Sequence, residues 1–215
     1  ASRPLSANGR GTVKQRIDHL LIRRGLFDSR ARAKAAIEAG LVTADGVVVK
    51  KASEQAVADA VLTAEPAHRF VGRGALKLDH ALSVWPIAVE GRTVLDVGAS
   101  TGGFTEVCLE RGAARVFAVD VGQGQLHPRI AADPRVVDLE KTDARDLTSD
   151  LIPDAPGLIV CDASFISLMK VLPTALSLAA ADVDLVTLVK PQFEMDNRSK
   201  VGSGGIVRDE AARQA

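Results

Sequence analysis

The chain has no run of about 18 uncharged apolar residues, the length that a membrane-crossing helix requires. Its opening stretch, ASRPLSANGRGTVK, has no apolar central segment, so a secretory leader is not expected. Residues 1–12 read instead as a disordered basic tail. Cysteine is scarce. Cys108 and Cys161 both lie in apolar surroundings and are expected to be buried free thiols, which suits a reducing cytoplasm. Internal repeats and low-complexity segments are also missing. Net charge is absent too, with 27 Lys+Arg against 27 Asp+Glu, but the balance hides a split. Residues 1–77 hold 14 basic and 7 acidic side chains, and residues 78–215 hold 13 and 20. A basic module for a polyanion, followed by an acidic body, is the arrangement this suggests.

What is present supports that division. In residues 13–65, Ile17, Leu20 and Leu21 recur at helical spacing and Gly25 closes the helix. Ser29 caps a second helix that runs through Ile37 and stops at Gly40. LVTADGVVVKK then reads as a hairpin turning at Asp45-Gly46. Arg23, Arg24, Arg30, Arg32 and Lys34 fall within twelve positions, and phosphate contact is their expected use. On a lone helix they would more simply be a solvated face; ahead of a hairpin that completes a small fold, binding is favoured. Residues 66–76, after Pro66, read as a linker.

From Arg92 onward, within residues 77–215, the pattern changes. RTVLDV, ARVFAVD, RVVDL, GLIVCDAS and VDLVTLVKP are apolar, β-rich runs separated by helical segments. This alternation predicts an α/β fold with a Rossmann-like, doubly wound parallel sheet. Ligands in such sheets sit beyond the carboxyl ends of the strands, where the strand order reverses. The first strand is expected to end at Asp96, followed by a turn of Gly98, Ala99, Ser100, Thr101, Gly102, Gly103 and Phe104. Asp120 closes the second strand, placed to accept from ribose hydroxyls, and Asp143 follows the third, near an adenine edge. A dinucleotide would prefer G-x-G-x-x-G facing its pyrophosphate, and Asp96 would repel that group. S-adenosylmethionine carries a sulfonium and an ammonium but no phosphate, and a set of strand-end acids suits it. A single helix-capping aspartate would explain one of these acids but not all of them.

Asp162 ends the fourth apolar run and Lys190 the fifth, so both are aimed at the same crevice, and a lysine there needs a carboxylate beside it. With Lys77 they match three positions of the K-D-K-E tetrad of FtsJ-like ribose 2′-O-methyltransferases. The first module, through RIDHLL, RGLFDSR and AGLVTADG, resembles the S-four RNA-binding fold. Together with GRGALKL, LDVGASTGGFTE, VDVGQGQL, CDASFISL, LVKPQFE and GSGGIVRD, the chain resembles the hemolysin A (TlyA) family of bacterial ribosomal RNA methyltransferases.

That resemblance implies 2′-O-methylation of cytidine in ribosomal RNA or its subunits, with S-adenosylmethionine as donor. Lys190 is then the expected general base, Asp162 orients it and also contributes to cofactor binding, and Lys77 completes the set. No metal, no membrane and no obligate protein partner are expected. The fourth tetrad member, a late-strand glutamate, is expected beyond residue 215, leaving residues 77–215 as a methyltransferase domain incomplete at its C-terminal end. Glu194 and Glu210 do not sit in such a strand. The alternatives are a non-catalytic RNA-binding protein and, from the family's name, a membrane-active hemolysin.

Overall fold

The computed structural model describes residues 14–195, and the chain divides into two compact units between Arg69 and Phe70. The basic tail, the GSGGIVRD segment and Glu210 lie outside the described residues.

The first unit comprises β1 (Lys14–Arg16), α1 (Ile17–Arg23), α2 (Arg30–Glu38), β2 (Val42–Ala44), β3 (Val47–Val48), β4 (Gln55–Val57) and β5 (Leu62–Ala64). The apolar faces of the two helices meet over Leu20, Leu21, Ala33, Ala36 and Ile37, with Phe27 and Val42 completing the core. Ser29 caps α2 as expected, its hydroxyl accepting from the Arg32 amide. β2 and β3 form the hairpin, with Asp45 (φ 49°) and Gly46 (φ 78°) both left-handed at its turn. Aspartate and glycine are residues that tolerate this geometry, which is why the turn was legible.

The second unit holds a five-stranded parallel sheet in the order β10-β9-β6-β7-β8. Its strands are β6 (Thr93–Val97), β7 (Arg115–Val119), β8 (Val136–Leu139), β9 (Leu158–Cys161) and β10 (Asp184–Thr187). Helices α3 (Gly74–Val84), α4 (Gly103–Glu110) and α5 (Pro128–Ala131) contribute to the core that contains Val94, Val116 and Val160. Helix α6 (Leu168–Ser177) contributes to the other, around Leu95, Phe117 and Ile159. Alternate residues of each strand thus point into different cores, so these strands read as unbroken apolar runs. Cys108 and Cys161 are buried free thiols, one associated with each core. A last short helix, α7 (Pro191–Glu194), follows β10.

The stretch expected as a linker, 66–76, does not behave as one throughout. Phe70 and Val71 are buried in the second unit's core, and α3 already begins at Gly74. The segment is also tied down by polar contact: Glu106 on α4 accepts the Val71 amide through Oε2 at 2.6 Å and pairs with Arg129 through Oε1.

Candidate active site

Strand order reverses beside β6. The chain moves from β6 to β7 and β8 on one side, then returns to place β9 and β10 on the other. The loops after β6 and β9 therefore meet. At Gly98 (φ 83°), an added Cβ would lie 2.9 Å from the Ala163 Cα, so backbone packs on backbone there. Gly102 (φ 89°) allows the left-handed step into α4. Ser100 adopts φ 47° without being glycine, held by its amide, which donates to Asp120 Oδ2 at 2.8 Å.

Two cavities open at this crossing. The larger, about 540 Å³, is lined by Gly98, Ser100, Asp120, Asp143 and Asp162, all expected from sequence, and by Val121, Gln125, Thr142 and Ser164, which were not. Asp120 does more than face it. Its Oδ1 accepts the Gly122 amide at 2.7 Å, so one carboxylate joins two loops. Asp143 caps a short 3-10 turn, and the Arg145 guanidinium beside it holds its carboxyl below the usual range. Glu140 accepts the Gly124 and Gln125 amides at 2.7 and 2.8 Å, which shapes the loop carrying Gln125. No sequence pattern marked it.

The smaller cavity, about 210 Å³, is lined by Ala99, Thr101, Gly103 and Phe104 from the glycine turn, Gly72 and Arg73 ahead of α3 with Gly74 at its start, and Asp162, Ser164 and Lys190. Lys190 Nζ lies 2.5 Å from Asp162 Oδ1 and donates to Asp162 O at 3.0 Å and Ser164 Oγ at 2.7 Å. The expected Asp–Lys pair is assembled. Lys77 is not part of it here. Helix α3 buries Ala75, Leu78 and Leu82, which turns Lys77 outward, and it lines neither cavity. Glu194 is committed elsewhere, its carboxylate accepting Ser167 Oγ at 2.7 Å and the Leu168 amide at 3.0 Å to cap α6.

Asp96 also differs from expectation. Val97, not Asp96, ends β6, and Asp96 is fully buried, accepting Thr105 Oγ1 at 2.7 Å through Oδ2. Its Oδ1 has no hydrogen-bond partner among the described residues. Burial, with the charges of Asp162 and Asp120 adding to it, pushes its carboxyl up to about 7. Between the ordinary carboxylate value and 7, the folded protein keeps a proton that the unfolded chain loses, so stability falls as pH rises through that window. Asp96→Asn keeps an oxygen for Thr105 and does not ionise. Its thermal stability is expected to gain on wild type by a margin that grows from pH 4 to 7, at most about 1.4 kcal/mol per pH unit. Melting curves across that range test it, and a constant margin would show that Asp96 is ionised in the folded state.

In the first unit the five basic residues expected to bind RNA have separate fates. Arg23 is exposed at the end of α1. Arg24 donates to the Ala58 and Ala60 carbonyls at 2.5 Å each, and Arg32 pairs with Asp28. Arg30 and Lys34 line an open hollow of about 580 Å³ together with Arg16, Lys50 and Lys51. Beneath them Asp18 is buried, and the Arg16 and Arg30 guanidinia hold its carboxyl far below the usual range. Arg16 and the lysine pair were missed. Their one signal was the KK that closes the hairpin run.

The FtsJ-like methyltransferase family model matches residues 70–215, and the S-four domain model matches residues 15–61. A curated relative from Mycobacterium tuberculosis, named 16S/23S rRNA (cytidine-2′-O)-methyltransferase TlyA, is 50% identical over 93% of this chain and 75% of its own length. Hemolysin A of Brachyspira hyodysenteriae is 39% identical over 93% of this chain and 83% of its own. A solved structure from Streptococcus thermophilus that carries a hemolysin name superposes with a TM-score of 0.69 at 39% identity, covering 94% of this chain and 74% of that one. Among the described residues, no helix is long and apolar enough to cross a membrane.

Proposed function

Because the chain belongs to the FtsJ-like methyltransferase family, in its hemolysin A (TlyA) branch, we propose that it methylates a ribose 2′-hydroxyl of ribosomal RNA, with cytidine as acceptor and S-adenosylmethionine as donor. The observation that carries this reading is the Asp162–Lys190 pair, which stands where an acid-lined cavity adjoins a smaller one walled by glycines. The larger cavity has the volume of a small-molecule site. Its aspartates suit a ligand with hydroxyl and amine donors and a positive centre, and the bare backbone at Gly98 allows close approach.

S-adenosylmethionine, when bound, supplies an electrophilic methyl group on a sulfonium. The chain's residues do the rest. Asp120 and Asp143 accept from the donor groups of the adenosine end. The ribose hydroxyl is a weak acid, and its proton must leave as the new bond to carbon forms. Lys190 takes that proton as a neutral amine, held beside the Asp162 carboxylate and the Ser164 hydroxyl. Asp162 fixes the amine, and holding the reacting groups in one line contributes much of the remaining acceleration. Lys77, exposed on α3 and lining neither cavity, is given no step. The basic hollow of the first unit supplies phosphate contacts.

The test is transfer of a labelled methyl group to ribosomal subunits, with the product located by ribose-methylation mapping. Methylation of a base, or of protein alone, would defeat the proposal. Binding gives a second check. Asp120→Ala is expected to weaken S-adenosylmethionine by about 1.5–3 kcal/mol in calorimetry, the scale of hydrogen bonds to a charged partner. Equal or tighter binding of NAD would overturn the choice of cofactor.

A further inference from the structure

Ser164 is not among the residues that the tetrad pattern or the strand-end acids single out. It follows β9 by three positions and lines both cavities. Its hydroxyl oxygen accepts from Lys190 Nζ at 2.7 Å. Two features fix that contact in place. Phe165, the next residue, holds a left-handed φ of 67° although it is not glycine, so the chain turns sharply directly after Ser164. The Phe165 ring also packs on Phe193 at 5.2 Å between centroids, three residues after Lys190. The loops after β9 and β10 are thus clasped twice, once through Ser164 and Lys190 and once through the two rings.

The chemistry of the three Lys190 partners separates them. Asp162 Oδ1 and Asp162 O can only accept, so each suits the ammonium. A hydroxyl both accepts and donates. When Lys190 is a neutral amine, the Ser164 hydroxyl can turn and donate to its lone pair; once the amine has taken a proton, the same oxygen accepts from it. We propose that Ser164 is a positioning residue for methyl transfer, keeping Lys190 Nζ at the junction of the two cavities in both protonation states. This rests on the reading of Lys190 as the base.

The experiment measures single-turnover methylation with saturating S-adenosylmethionine and ribosomal RNA, using the full chain. Ser164→Ala is expected to slow the chemical step on the order of tenfold, with affinity for S-adenosylmethionine unchanged. Ser164→Thr keeps the hydroxyl at an exposed position and is expected to restore most of the rate. In a Lys190→Ala background, Ser164→Ala should add no further loss, because the two residues act as a unit. Wild-type rate in Ser164→Ala, an equally slow threonine variant, or a loss of cofactor affinity that accounts for the rate would each overturn the proposal. If Lys190→Ala itself turns over normally, the base assignment has failed. If Lys190→Ala is slow and Ser164→Ala is not, only the role of Ser164 is wrong.

Discussion

Lys190→Ala is expected to slow methyl transfer by ~10²–10⁴-fold, the usual worth of a positioned proton acceptor, while cofactor affinity and folding are retained. The side chain is 19% exposed and its partner Asp162 is 25% exposed, so removing the amine leaves a carboxylate that water can reach. The large destabilisation that follows when a deeply buried pair is broken is therefore not anticipated. The other contacts of Lys190 run to a backbone carbonyl and a serine hydroxyl, both of which water can serve. Lys190→Arg sharpens the test. A guanidinium can still pair with Asp162 but does not give up its proton at working pH. If Lys190 acts through proton transfer, the arginine variant should be as slow as the alanine variant. An arginine variant near wild type would mean that fixed positive charge is what matters, and Lys190 would lose its role as base.

The sheet and the site were legible to different depths. A strand buried on both faces has little choice but to be an apolar run, so β6 to β10 stood out, and the acids that follow them marked the crevice. The Asp162–Lys190 pair was readable because a lysine at the end of an apolar strand calls for a carboxylate. Depth was not readable. An aspartate reads the same whether it lines a cavity or lies beneath one, and only the packing of α4 on β6 encloses Asp96 against Thr105. Position along the helix was also decisive: Arg73, just ahead of α3, lines the smaller cavity, whereas Lys77, exposed on the helix itself, lines neither, though both are cations in one short motif. Phe70 and Val71 have no periodicity to announce them, and the residues they pack against and the glutamate that accepts the Val71 amide lie elsewhere in the sequence. Arg24 in the first unit shows a similar limit. It satisfies backbone carbonyls that come from a loop distant in sequence, which charge counting does not reveal.

That last distinction gives the second large effect. Replacing Lys34, Lys50 and Lys51 with alanine is expected to weaken binding to ribosomal RNA on the order of 10²-fold and to lower the log–log salt slope by about 1 per lysine. These three line the hollow without holding the buried Asp18, a task that falls to Arg16 and Arg30. Their backbone is also secured independently, since Glu54 Oε1 accepts the Lys50 and Lys51 amides at 3.0 and 2.7 Å. The triple variant should therefore fold normally and bind S-adenosylmethionine as wild type does. Arg24→Ala supplies the contrast. It removes two hydrogen bonds to the carbonyls of residues 58 and 60, so its main effect should be a lower melting temperature, with the salt slope nearly unchanged. Filter binding across a salt series reads both variants. A triple-lysine variant with a wild-type slope would place the RNA contacts outside the hollow, on the exposed flank where Arg23 stands, and would restore the reading that counted arginines along the two helices.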